Sequence, residues 1–160
     1  MEFVDLKRQY HEYKAEIMAE IENVLETTTF INGPALRELE EQLAQHTGVK
    51  HAIGCSSGTD ALILGMMALD IQRGDQVIVP DFSYFATAET AALMAATPVF
   101  VDIRPDTYNI DPEAIRAAIT EKTVGIIPVS LYGQVADMDE INAIAAAHGL
   151  WVMEDGAQSY

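Results

Sequence analysis

The first 50 residues carry apolar positions at helical spacing. Four of them form a stripe among glutamates: Ile17, Ile21, Val24 and Leu25. This spacing predicts an amphipathic helix. Asn32 and Gly33 interrupt the pattern, and Pro34 stands where the first turn of a helix tolerates proline. We therefore expect a second helix between Pro34 and Gly48.

The pattern changes after His51, where short runs rich in Val and Ile alternate with amphipathic segments. The runs expected to be buried strands are Val77-Ile78-Val79, Val99-Phe100-Val101, Val124-Gly125-Ile126-Ile127 and Leu150-Trp151-Val152-Met153. Helical faces are indicated by Leu62, Met66 and Leu69, by Ile115 and Ile119, and by Ile141, Ile144 and Ala145. Asp111 before Pro112 and Asp137 before Glu140 are typical helix starts. Alternating strands and helices predict an α/β fold, a mostly parallel sheet with helices on both faces.

In such a sheet, ligands bind beyond the carboxyl ends of the strands. Three polar segments are expected to reach that edge: residues 55–59, 80–84 and 154–158. These segments are therefore expected to carry the functional residues.

Composition excludes several classes of function. The 160 residues include 9 Lys and Arg against 25 Asp and Glu, a formal net charge of −16. This charge argues against a general nucleic-acid binder and against adhesion to anionic membranes. Cys55 is the single cysteine, which excludes an intrachain disulfide and a multi-cysteine zinc site; we expect it to be a small buried residue. The N-terminus lacks the apolar segment of a signal peptide, so a cytoplasmic protein is expected.

The segment Ser56-Ser57-Gly58-Thr59 leads into the helix predicted over residues 60–69. Small residues before a helix let backbone N–H groups approach an anion, and the helix N-terminus favours negative charge, so a phosphate site is one interpretation. The alternative is an ordinary cap in which Ser57 or Thr59 bonds the first-turn amides. Asp60 favours this alternative because it already supplies a negative charge there. Neither a dinucleotide fingerprint nor a P-loop is present.

Asp155 follows Glu154 at the end of a strongly apolar strand. A carboxylate there is partly desolvated, and a protonated heterocycle nitrogen would satisfy it, as would a helix N-terminus or a salt bridge. Tyr84 could stack on a flat cofactor or could simply belong to the core or the surface. Gln158 could direct its amide at the same ligand. The four histidines show no metal-ligand spacing, so no metal site is predicted.

Eight stretches together resemble the DegT/DnrJ/EryC1/StrS sugar-nucleotide aminotransferase family, within the fold-type I enzymes that use pyridoxal 5′-phosphate. They are Phe3-Val4-Asp5-Leu6, Ile31-Asn32-Gly33-Pro34, Ser57-Gly58-Thr59-Asp60-Ala61-Leu62, Gly74-Asp75-Gln76-Val77-Ile78, Ala86-Thr87-Ala88-Glu89, Pro98-Val99-Phe100-Val101-Asp102, Pro128-Val129-Ser130-Leu131-Tyr132-Gly133-Gln134 and Glu154-Asp155-Gly156-Ala157-Gln158. They span nearly the whole chain in order and at family spacing, and only the set is specific.

The resemblance implies a role for each candidate site residue. Gly58 and Thr59 would hold the cofactor phosphate, and Tyr84 would stack on the pyridine ring. Asp155 would pair with the ring nitrogen and keep it protonated, so that the ring acts as an electron sink. Gln158 would approach the 3-oxygen of the ring.

One family feature is missing from these residues. The family needs a lysine that binds the cofactor as a Schiff base, and it lies beyond the segment that ends at Gln158. Lys7, Lys14, Lys50 and Lys122 match other parts of the family pattern. We therefore expect residues 1–14 to be an arm and the start of the first helix, and residues 15–160 to be the N-terminal part of the cofactor-binding large domain. The rest of that domain and a small C-terminal domain would be absent, and this chain alone would be inactive.

Within the family, residues 130–134 and 5–7 most resemble transaminases that act on UDP-linked 3-keto hexuronates for bacterial surface polysaccharides, including lipopolysaccharide, with glutamate as donor. The resemblance also implies a homodimer that binds a nucleotide sugar and an amino acid. The alternatives are a C4 aminotransferase, a dehydratase with histidine in place of the lysine, and a non-catalytic relative that binds sugar nucleotides or regulates. A generic α/β domain for another cofactor also stays open.

Overall fold

The computed structural model describes residues 4–159, so Met1 to Phe3 and Tyr160, which include part of the predicted arm, lie outside the described residues. The chain divides into two compact units, residues 1–54 and residues 55–160. The division expected from the sequence, at residue 14, stays a prediction.

The first unit contains two helices. Helix α1 spans Leu6–Thr27, where Asp5 caps the N-terminus by accepting a hydrogen bond from the Arg8 amide at 2.9 Å. Helix α2 spans Pro34–Thr47 and ends at Gly48. Both predicted helices are confirmed. No described residue of either helix is buried. In the apolar stripe of α1, Ile17, Ile21 and Leu25 are exposed and Val24 is partly buried.

The second unit alternates helices and strands. Its elements in chain order are α3 (Gly58–Ala68), β1 (Gln76–Pro80), α4 (Ala86–Leu93), β2 (Thr97–Val101), α5 (Pro112–Ala118), β3 (Thr123–Ile126), a 3₁₀ turn (Leu131–Gly133), α6 (Met138–His148) and β4 (Trp151–Val152). All four predicted strands are present, and β1 and β3 are largely buried as expected. The expectation of burial is wrong for β2, where only Val101 is buried, and for β4, where both residues are half-buried. Helix α3 begins two residues earlier than expected, and α4 and the 3₁₀ turn were not predicted.

The four strands form one parallel sheet in the order β2-β1-β3-β4. Val77 and Val79 of β1 pack with residues of α3 and α4, while Ile78 packs with residues of α5 and α6. Because neighbouring residues of a strand point to opposite faces, helices cover both faces of the sheet. This confirms the predicted fold class.

The strand order fixes where a ligand can bind. The chain passes from β1 to β2 on one side and then returns to β3 on the other side of β1. A reversal of strand order opens a crevice outside the carboxyl ends of the two strands, here β1 and β3. A ligand site is therefore expected among the segments that follow these strands and β4.

Candidate functional site

A cavity of about 320 Å³ lies at this edge of the sheet. Its walls come from the N-terminus of α3, the loop after β1, and the segments after β3 and β4. All five residues proposed from the sequence line it: Gly58, Thr59, Tyr84, Asp155 and Gln158. The fold thus brings together residues up to 100 positions apart in the sequence.

The N-terminus of α3 forms one end of the cavity. Ser57 caps the helix, because its Oγ accepts a hydrogen bond from the Asp60 amide at 3.1 Å and its carbonyl accepts one from the Ala61 amide at 3.0 Å. The first amides of a helix have no intrahelical acceptor, so those of Gly58 and Thr59 remain as donors. The two interpretations of this segment are therefore compatible: Ser57 caps the helix, and two further amides are left for an anion.

Asp60 takes up the serine hydroxyls beside this helix start. Its Oδ2 accepts hydrogen bonds from Ser56 Oγ and, at 3.0 Å, from Ser57 Oγ. These two bonds lower the pKa of the Asp60 carboxyl below its usual value, and the bond from Ser56 has the larger effect. The hydroxyls of Ser56 and Ser57 are thus directed at Asp60, and the donors that face an anion are the two backbone amides and the Thr59 side chain.

Tyr84 lies in the loop after β1, where its side chain is largely exposed at 76%. An exposed ring on a cavity wall can stack on a flat ligand. The loop is anchored beside it, since the Thr87 amide donates to the Tyr84 carbonyl at 3.2 Å.

The backbone of Asp155 is fixed by the sheet. Its amide donates to the Pro128 carbonyl at 2.9 Å, and its carbonyl accepts from the Ser130 amide at 3.1 Å. These bonds extend the parallel pairing of β3 and β4 by one bridge, between Val129 and Asp155. Asp155 is therefore a rigid position at the end of a strand.

The carboxylate of Asp155 is held as well. Oδ1 accepts from the Ala157 amide at 3.2 Å, and Oδ2 accepts from Thr87 Oγ1 at 2.8 Å. Thr87 belongs to the family-like segment Ala86-Thr87-Ala88-Glu89, but the sequence indicated no role for it. The one signal in the sequence was a hydroxyl residue between two alanines.

Gln158 is oriented by a backbone donor. Its Oε1 accepts from the Tyr132 amide at 2.7 Å, which leaves its Nε2 group as the donor. Tyr132 reaches this position in the left-handed region, with φ of 57°. The sequence did not predict this contact, because it depends on the irregular turn after β3.

Other candidate chemistry is sparse in the described part of the chain. None of the described residues that line the cavity is a lysine. Within residues 4–159, no group of three or more His, Cys, Asp and Glu side chains could hold a metal ion. No helix in the same range combines the length and apolar character needed to cross a membrane. Cys55 is exposed, which corrects the expectation that it is buried; its place before the Ser57 cap leaves it outside the core.

The arrangement fits one kind of ligand. Amide donors at the N-terminus of α3 suit an anion, the Tyr84 ring suits a flat group, and the fixed carboxylate of Asp155 suits a cationic ring nitrogen. The Gln158 amide suits an oxygen substituent on the same ring.

Comparison with known proteins found a matching family profile and similar proteins. The profile of the DegT/DnrJ/EryC1/StrS aminotransferase family matches residues 11–160. UDP-2-acetamido-2-deoxy-3-oxo-D-glucuronate aminotransferase of Pseudomonas aeruginosa is 54% identical over 160 residues, which cover 100% of this chain and 45% of that protein. A pleiotropic regulatory protein of Geobacillus stearothermophilus is 49% identical over 156 residues, which cover 98% of this chain and 42% of that protein.

Solved structures share the fold. The crystal structure of NtdA from Bacillus subtilis with bound cofactor PMP matches 99% of this chain and 37% of that chain, with a TM-score of 0.93 and 38% identity. The chain thus spans less than half the length of these relatives.

Proposed function

Because the chain belongs to the DegT/DnrJ/EryC1/StrS aminotransferase family, we propose that the cavity holds pyridoxal 5′-phosphate and that the full-length protein transfers an amino group to a nucleotide-linked keto sugar. The observation that carries the proposal is the convergence of Gly58, Thr59, Tyr84, Asp155 and Gln158 on one cavity. Family membership and relatives whose structures hold PMP, the aminated form of this cofactor, support its identity.

Each residue has a task in this proposal. The amides of Gly58 and Thr59 bind the phosphate at the N-terminus of α3. Tyr84 stacks on the ring and limits its tilt, and Gln158 donates its amide to the 3-oxygen. Asp155 keeps a proton on the ring nitrogen through a charge-assisted hydrogen bond. When bound, the cofactor supplies an electron sink for the substrate carbon that loses its proton.

For the substrate, we propose a UDP-linked 3-keto hexuronate, with glutamate as amino donor and a bacterial surface polysaccharide as the destination of the amino sugar. The Pseudomonas aeruginosa relative, at 54% identity, supports this choice. We also propose that the full-length protein is a homodimer and that it acts in the cytoplasm. For the homodimer, the expected result is sedimentation of the full-length protein at twice the subunit mass.

The experiment combines cofactor and substrate. The full-length protein is mixed with pyridoxal 5′-phosphate and scanned for the visible absorbance band of a bound lysine adduct, which borohydride should bleach. The holoenzyme is then given glutamate and UDP-2-acetamido-2-deoxy-3-oxo-glucuronate, and the amino sugar is sought by mass spectrometry. A bound cofactor without amino transfer to this sugar nucleotide would contradict the proposed substrate. If a C4-keto sugar nucleotide, assayed in the same way, also received no amino group, the proposed reaction would be contradicted.

A second candidate is a regulatory role, which the 49% identity to the pleiotropic regulatory protein of Geobacillus stearothermophilus favours. A regulator built on this site would bind the cofactor or a sugar nucleotide without consuming glutamate. The same assay separates the two functions, because only the aminotransferase releases 2-oxoglutarate in proportion to the amino sugar.

A further inference from the structure

The hydroxyl of Thr87 contacts the carboxylate of Asp155, the only carboxylate that lines the described cavity. Thr87 is 1% exposed, and its Oγ1 donates to Asp155 Oδ2 at 2.8 Å. Its helix neighbours Ala86 and Ala88 are buried in the apolar core cluster. A buried hydroxyl is costly unless it is hydrogen-bonded, and valine would fill the same volume without that cost. The carboxylate of Asp155 is therefore the reason for a hydroxyl at this position.

The direction of these bonds follows from proton counting. A threonine hydroxyl has one proton, and an ionised carboxylate can only accept, so this proton is committed to Asp155. Ser83 Oγ lies 3.4 Å from Thr87 Oγ1, and Ser83 must then be the donor in that contact. Ser83 itself lines the cavity. A chain of two hydroxyls thus runs from the cavity wall to the carboxylate.

The two donors to Asp155 come from different elements. Thr87 belongs to α4 and binds Oδ2, while the Ala157 amide lies after β4 and binds Oδ1. One bond on each oxygen fixes the rotation of the carboxylate about its Cβ–Cγ bond. The remaining lone pairs then have one preferred direction, which a mobile carboxylate would lack.

We propose that Thr87 is a positioning residue, which holds Asp155 in the orientation that receives the ring nitrogen of pyridoxal 5′-phosphate. The inference rests on the proposed function, because it needs the cofactor in this cavity. It predicts that Thr87 acts on binding only through the ring nitrogen.

The test measures binding of two probes to the full-length protein. One probe is pyridoxal 5′-phosphate, and the other is its 1-deaza analogue, in which C–H replaces the ring nitrogen. Thr87→Val should weaken binding of the first probe about tenfold, the scale of a hydrogen bond to a charged group, and should change binding of the analogue less than about twofold. Thr90→Val is the matched control: Thr90 is a fully buried threonine of the same helix whose hydroxyl donates to the Thr87 carbonyl at 3.4 Å. It should leave both affinities unchanged.

A second pair of variants protects the test against misfolding. Thr87→Ser and Thr87→Ala both lose the methyl group and differ only in the hydroxyl, so the serine variant should keep the preference for the ring nitrogen and the alanine variant should lose it. Equal losses for both probes, or equal affinities in the serine and alanine variants, would overturn the inference. If the wild-type protein binds neither probe, the proposed function fails first and the inference falls with it.

Discussion

At position 155 the proposed role requires a charge as well as a shape. The carboxylate is fixed by its backbone pairing and by one donor on each oxygen. Asparagine would keep the size of the side chain and lose the charge that favours a protonated ring nitrogen. A substitution at Asp155 can therefore separate the effect on cofactor binding from the effect on the rate of the proposed reaction.

If the proposed function holds, Asp155→Asn should lower kcat of the full-length protein at least about tenfold. A charge-assisted hydrogen bond contributes roughly 1.5–3 kcal/mol, and about 1.4 kcal/mol corresponds to a factor of ten in rate. Cofactor binding should be partly retained, since the proposed phosphate contacts of Gly58 and Thr59 are unchanged. Single-turnover kinetics and a cofactor titration measure the two effects separately.

Glu154→Gln is the control for that change. Glu154 is the adjacent carboxylate, but it accepts from Ser130 Oγ and does not line the cavity. The Glu154→Gln variant should retain wild-type turnover.

Thr59→Ala should instead weaken cofactor retention, measured by cofactor titration, with a smaller effect on kcat. An Asp155→Asn enzyme that converts substrate at the wild-type rate would refute the assigned role.

At the scale of elements, the sequence predicted what apolar patterning can encode. The four strands and helices α1, α2, α3, α5 and α6 carry clear runs or stripes, and the caps at Asp111 and Asp137 are observed. Helix α4 was missed because its Ala and Thr residues are small and give no contrast between faces. The 3₁₀ turn was missed because it depends on the left-handed conformation of Tyr132.

The pairing of β3 with β4 depends on a close approach. Gly125 of β3 faces the Trp151 ring so closely that a Cβ at this position would overlap the indole. Gly125→Ala should therefore destabilise the protein by roughly 1–3 kcal/mol, the usual cost of overpacking a core. Denaturant unfolding of the cofactor-free protein measures this change. Gly58→Ala is the control, because a Cβ at Gly58 would meet no atom within 4 Å, and its free energy of unfolding should stay close to that of the wild type. An equal loss of stability in both variants would contradict the packing argument.

The start of α3 should respond to acid. The hydrogen bonds from Ser56 and Ser57 lower the pKa of Asp60 in the folded state. A carboxyl with a lowered folded pKa stabilises the protein above its unfolded pKa, and this contribution is lost as the pH falls through the folded value. The melting-temperature difference between wild type and Asp60→Asn should therefore be largest near neutral pH and shrink below the ordinary value of 3.8. A difference independent of pH would disprove the argument.

At the scale of the whole molecule, the site depends on contacts across long stretches of sequence. Thr87 and Asp155 are 68 positions apart, and Tyr132 and Gln158 are 26 apart. Family motifs placed Asp155 and Gln158 at the cavity, but no local pattern could show which groups hold them. These partners follow only from the strand order, which brings the ends of β1, β3 and β4 together.

The proposed cofactor needs a lysine that binds it as a Schiff base. Lys7, Lys14, Lys50 and Lys122 are the lysines of these 160 residues, and none lines the cavity. We therefore predict that borohydride reduction of the full-length protein with pyridoxal 5′-phosphate labels none of these four, and that residues 1–160 alone do not transfer an amino group. Peptide mapping of the reduced protein locates the pyridoxyl group, and a mixture reduced without cofactor is the blank. A label on Lys122 or on any of the other three, accompanied by loss of activity, would show that the cavity is built differently from the site proposed.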